Sequence, residues 1–145
     1  MEDKPKRQVT IIKSLIIDAE GRILFVRRSR EWHKESHGKW EFAGGKIEFG
    51  EDPERTAVRE AKEETGYDVE IVKLIPKVLT GTWDYGDRLS QQILLCYVCK
   101  VVSGNPNTDD KGVSELKWCY LDNVPKIDEC LSGTIEFLDE YVESL

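Results

Sequence analysis

Gly45-Lys-Ile-Glu-Phe-Gly-Glu-Asp-Pro-Glu-Arg-Thr-Ala-Val-Arg-Glu-Ala-Lys-Glu-Glu-Thr-Gly-Tyr67 is the stretch from which the rest of the chain can be read. Asp52 has the acceptor side chain of an N-cap, Pro53 brings its fixed φ to the first helical position, and Gly66 supplies a stop. These signals predict a helix over 53–65, with Glu54 in an acidic first turn. At about 100° per residue, Glu60, Glu63 and Glu64 fall on one face. Ala57, Val58, Ala61 and Thr65 form an adjoining stripe, small enough for the helix to lie against a sheet with three carboxylates along its rim. Like charges at i and i+4 repel, so something positive must sit among them. Arg59 reaches Glu63 at i+4, and Glu51 meets Arg59 if the preceding loop folds back. Mg²⁺, which binds through one or two carboxylates together with substrate phosphates, is the other candidate. The plain alternative is a solvated acidic helix face.

Upstream, residues 8–17 are rich in β-branched side chains and end at the turn Asp18-Ala-Glu-Gly21, before a second strand over 22–27. That pair reads as a hairpin. A polar stretch over 28–38 holds Trp32, His33 and His37, both histidines reading as solvated. It leads into the apolar segment Trp40-Glu-Phe-Ala43, which stops at Gly44-Gly45, a signal of a turn or a close backbone approach. Downstream, 67–80 and 89–102 have β character around the turn Asp84-Tyr-Gly-Asp87. Residues 113–121 make a last strand, and 128–142 an amphipathic helix carrying Ile135, Leu138 and Val142. Strands and helices that do not alternate regularly predict an α+β fold, an α/β/α sandwich whose mixed sheet is flanked by the two helices.

The 145 residues suit a single domain over 1–145 with its own core, so a metal would serve chemistry rather than stability. The net charge of −7 speaks against long nucleic acid as partner. Residues 1–50 carry eleven Lys and Arg against eight Asp and Glu, and 51–145 carry ten against twenty. A mildly basic part joined to an acidic one suits a small anion bridged to carboxylates by a divalent metal. With no apolar run of membrane-spanning length and no signal peptide, the expected compartment is the cytoplasm, without membrane association. Cys96 and Cys99 have C-x-x-C spacing, but three apart on a strand they point to opposite faces. All four cysteines, with Cys119 and Cys130, therefore read as reduced packing residues.

The complete pattern is Gly45, five residues, Glu51, seven residues, Arg59-Glu60-Ala61, one residue, Glu63-Glu64, one residue, Gly66-Tyr67. It resembles the signature of the Nudix hydrolase superfamily. Gly38-Lys-Trp-Glu-Phe-Ala-Gly-Gly-Lys-Ile-Glu48 is similar to the MutT-like branch, with Ala43 where that branch usually has Pro. The resemblance implies metal-assisted hydrolysis of a nucleoside diphosphate linked to another moiety, by attack of water on phosphorus. It implies Mg²⁺ as cofactor, with Mn²⁺ able to substitute, bound by Glu60, Glu64, Glu63 directly or through water, and the Gly44 carbonyl. Glu51 and Arg59 would hold the loop to the helix. A carboxylate outside the signature often assists; Asp109, Asp110 and Glu115 lie in the right region, with Asp110 narrowly preferred.

Arg28, Glu41, Phe42 and Lys46 are the candidate substrate-binding residues: Arg28 resembles a phosphate-contacting position, if Arg27 points the other way, and Phe42 offers a ring to a base. Glu41 alternates with Trp40 and Phe42. The MutT-like resemblance implies a (d)NTP, including oxidised purine forms, cleaved to a nucleoside monophosphate and pyrophosphate. Against the oxidised-guanine reading, Pro125-Lys-Ile-Asp128 stands where that reader would have Asn, with Asn123 nearby. Tyr85 resembles a marker of diadenosine-polyphosphate enzymes, and Thr82 replaces the Pro marker of the ADP-ribose group. Dinucleotide polyphosphates or sugar nucleotides are thus the alternative substrates, and a non-catalytic nucleotide sensor is the alternative of another class. The expected assembly is a monomer or homodimer.

Overall fold

The protein is described from a computed structural model covering residues 3–107 and 112–145. Among these residues the strands form one eight-stranded mixed sheet. At its centre β1, Lys6–Ile17, runs parallel to β7, Leu89–Gly104, in unbroken register from Lys6↔Leu89 to Ile17↔Lys100. β2, Ile23–Arg28, turns back on β1 across the predicted turn, whose Asp18 carboxylate accepts the Glu20 and Arg22 amides. β3, Trp40–Glu41, and β8, Val113–Cys119, pair with β2. β4, Ala43–Lys46, pairs with β1; β5, Tyr67–Leu74, and β6, Leu79–Asp84, both pair with β7.

Strand alternation sorts the core into two layers. Leu15, Phe25, Cys96 and Val98 face one side and pack with Phe137, Leu138 and Tyr141 of α2, Thr134–Glu143. Ile16, Leu24, Val26 and Cys99 face the other, under Ala61 of α1, Pro53–Thr65. The expected α+β fold with two flanking helices is present. All four cysteines are free and buried, and Cys96 and Cys99 lie in different layers.

Helix α1 runs over the predicted span, capped by Gly66 at φ 83°. Other boundaries differ. Gly44 and Gly45 do not stop a strand but lie within β4, where a Cβ on Gly44 would collide with the Ile12 carbonyl of β1. Close approach rather than turning explains this glycine pair. The expected strand over 67–80 is two strands, broken around Ile75-Pro-Lys-Val78, where Pro76 has no amide to donate to β7. The last helix begins at Thr134 rather than 128. Ile127–Glu129 form a 3₁₀ turn, and Gly133 at φ 94° redirects the chain.

Candidate functional site

Four small residues bring α1 close to the sheet. Ala57 and Ala61 are fully buried, the Ser14 hydroxyl donates to the Ala57 carbonyl at 3.0 Å, and a Cβ on Gly45 would lie 2.5 Å from Cδ of Glu60. The helix therefore lays its acidic edge along β4.

Two arginines organise that edge. Arg59 donates to both oxygens of Glu51, at 2.7 and 2.9 Å, and to Glu60 at 2.8 Å, with Glu63 at 3.4 Å. Glu51 also accepts from the Thr56 hydroxyl at 2.7 Å and the Glu48 amide at 3.2 Å. The loop thus folds back onto the helix, and the hydrogen bonds from Arg59 and Thr56 hold the Glu51 carboxyl at about 2. Arg28, buried at the end of β2, grips Glu64 with two parallel bonds of 2.8 Å, and the Gly44 amide adds a third at 3.0 Å. Arg27 points elsewhere, to Glu115 at 3.3 Å.

From Arg28 the charges continue to a cleft. Glu41, 1% exposed, lies 3.2 Å from Arg28 Nε and 3.4 Å from Arg30, and its other oxygen accepts from Lys13. Burial raises the Glu41 carboxyl, but Lys13, Arg28 and Arg30 outweigh it and hold it at about 2. Burial and repulsion from Glu64 raise Glu60; burial raises Glu64 against the pull of Arg28.

The cleft has a volume of about 380 Å³ and is bordered by Lys13, Glu41, Gly44, Gly45, Thr80 and Gln92. Gly45 thus stands between Glu60 and the cleft. Glu41 and Phe42 both line it, because the strand breaks at Phe42 and their strict alternation fails. Phe42 is otherwise committed to the core, 5.3 Å from Phe25. Lys46 is exposed, and its carbonyl accepts from Arg59 at 3.4 Å. Asn123 is exposed on a 3₁₀ turn, and Leu131, Ser132 and Thr134 border the cleft instead. Asp109 and Asp110 lie outside the described residues. Lys13, Arg30 and Trp32 border the cleft but were not among the site residues expected from sequence. The one signal was a lone Lys in an apolar strand, which needs a buried counter-charge.

Among the described residues no three His, Cys, Asp or Glu side chains already converge on one ion position. The donor set nevertheless fits a hard cation. Glu60 and Glu64 are half-buried and buried carboxylates with raised affinity for protons, brought together along β4 because Gly45 makes room for the Glu60 carboxylate and the Gly44 amide holds Glu64. Among the described residues no helix is long and apolar enough to cross a membrane.

The NUDIX domain model matches residues 6–140. The chain is 33% identical over 107 residues to an 8-oxo-dGTP diphosphatase of Proteus vulgaris, covering 74% of this chain and 88% of that protein. It is 34% identical over 116 residues to an ADP-ribose pyrophosphatase of Methanocaldococcus jannaschii, covering 77% and 62%. A MutT NUDIX hydrolase structure from Burkholderia pseudomallei superposes with a TM-score of 0.76 at 26% identity, covering 92% of this chain and 98% of that one. Across three of the curated relatives the chain spans 35% to 64% of their length.

Proposed function

Because the chain belongs to the Nudix domain family, we propose that it is a pyrophosphohydrolase that cleaves nucleoside triphosphates to a nucleoside monophosphate and pyrophosphate. The observation that carries this reading is the shared position of Gly44 and Gly45. They border the substrate-sized cleft, while the Gly44 amide holds Glu64 and Gly45 makes room for Glu60. A phosphate chain lying along these glycines has the carboxylate edge of α1 beside it.

Glu60, Glu63, Glu64 and the Gly44 carbonyl would hold Mg²⁺, or Mn²⁺ in its place. When bound, the cation neutralises phosphate oxygens and stabilises the leaving pyrophosphate. The protein's own part is positioning. Arg59 ties Glu60 to the Glu51 loop, and Arg28 fixes the plane of Glu64 through a two-point grip that a lysine could not reproduce. Lys13 and Arg30 bring positive charge to the cleft wall, with Glu41 balancing them until an anion arrives. Water attacks phosphorus, the P–O anhydride bond breaks, and pyrophosphate departs. Asp110 and Glu115 are the candidates to take the water's proton. Glu115 requires release from Arg27.

Release of nucleoside monophosphate from a panel of NTPs, dNTPs, oxidised dGTP, diadenosine polyphosphates, ADP-ribose and sugar nucleotides tests this, with pyrophosphate as the co-product expected from the triphosphates and Glu64→Gln beside the wild type. The expected result is turnover centred on triphosphates, with kcat falling at least about 100-fold in the variant and KM changing little. Equal rates in both proteins would remove Glu64 from the reaction. Preference for ADP-ribose, the activity named for the Methanocaldococcus relative, would move the substrate to a nucleoside diphosphate bearing a sugar.

A further inference from the structure

The cleft opens between two segments that the hydrolytic scheme leaves unused. One is the stretch after β2 with Trp32 and His33; the other is the tip joining β6 to β7, with Trp83 and Tyr85. Their rings meet. His33 stands edge-on to Trp83 at 4.9 Å and lies 5.4 Å from Tyr85; Trp32 lies 5.6 Å from His33 and 6.1 Å from Tyr85. These centroid spacings leave no room for another ring between them, since stacking on both faces needs about 7 Å. The four rings are a wall, not a slot.

Several contacts keep this wall in order. Ser36 Oγ is 2.8 Å from His33 Nδ1, the Arg88 guanidinium covers Tyr85 at 4.7 Å, and the Tyr85 and Gly86 amides close the tip through Arg88 O and Asp84 Oδ1. Yet Trp32 is 72% exposed. A large aromatic held in place with its surface in water is poised to bury that surface on a partner at little entropic cost. Phe42, at the cleft floor, is already buried against Phe25. Lys13 and Arg30 also line the cleft, paired there with Glu41, and are the cations a phosphate chain would meet in it.

We infer that the Trp32–His33–Trp83–Tyr85 wall is the stacking surface for the planar base of the nucleotide, rather than Phe42. The inference rests on the nucleotide-hydrolase reading and supplies its base subsite. The exposed Trp32 ring, backed by the other three, attracts any base by stacking and leaves identity to polar groups elsewhere, so the wall sets affinity for a ring rather than for one nucleobase.

The test compares GMP with ribose 5-phosphate, which lacks the base, by calorimetry and by quenching of tryptophan emission, alongside NTP turnover. GMP should quench the wild-type protein and ribose 5-phosphate should not. Trp32→Ala and Tyr85→Ala should each raise the Kd for GMP and the KM for NTP about tenfold, leaving kcat and ribose 5-phosphate binding unchanged, while Trp32→Phe restores most of the loss. Trp32 is exposed, so its removal spares the core. Unaltered GMP affinity and KM in both alanine variants, with NTP still hydrolysed, would overturn the wall and spare the hydrolase. Trp32-dependent GMP binding in a wild-type protein that hydrolyses no NTP would support the wall and defeat the hydrolase.

Discussion

One added methyl should have different consequences at two adjacent glycines. On Gly44 it meets the Ile12 carbonyl, a backbone atom of the central strand, so Gly44→Ala must open the β1–β4 pairing. On Gly45 it meets the carboxylate end of Glu60, a movable side chain. Gly44→Ala is expected to lower unfolding free energy by about 2–4 kcal/mol. Gly45→Ala should unfold nearly as wild type and weaken Mn²⁺ binding roughly tenfold. Urea denaturation and metal titration separate the two, and equal stability losses would refute the distinction. Sequence left the glycine pair as a turn or a close approach and could not show what each approaches, since Ile12 and Glu60 lie on different elements. The Glu51–Arg59 contact was legible because one loop joins its members. Lys13, Arg30 and Glu41 come from separate segments with no fixed spacing, so only folding shows that they converge.

Helix α1 was readable end to end because its boundaries carry a proline and a left-handed glycine; Asp52 holds the N-cap position, but its side chain makes no capping hydrogen bond, and its carbonyl accepts the Thr56 amide instead. The start of α2 was not readable. Its hydrophobic spacing continues back through Ile127 and Leu131, and only Gly133 with its positive φ marks the true beginning. The break between β5 and β6 was hidden in the same way by apolar residues on both sides of Pro76. For α1 the small-residue stripe sets its distance from the sheet, so it also places the glutamates. Ala61→Leu should cost about 1–3 kcal/mol by overpacking against Ile16 and Val69 and lower kcat although it touches no substrate. Denaturation and turnover on the same preparation check this; a stability loss with unchanged kcat would show that the helix position is not critical.

Across the whole molecule, buried charge links the cleft to the helix, and this makes stability depend on acid. Glu41 is held at about 2 against an ordinary 4.5, so between those values the unfolded chain takes up a proton that the folded one refuses. Its contribution is complete above about pH 4.5 and disappears as pH falls toward 2. Glu41→Gln should be less stable at pH 7, because Lys13, Arg28 and Arg30 lose their shared counter-charge, and should show a shallower loss of urea midpoint from pH 5 to 3. Parallel acid limbs for the two proteins would contradict this. The parallel pairing of β1 with β7 has a different consequence, one of timing. Gln8 binds Gln91 across 83 positions, so β1 is synthesised well before its central partner exists. Until then its row of isoleucines is an open edge, and the growing chain must be shielded from its neighbours by the speed of synthesis or by a chaperone.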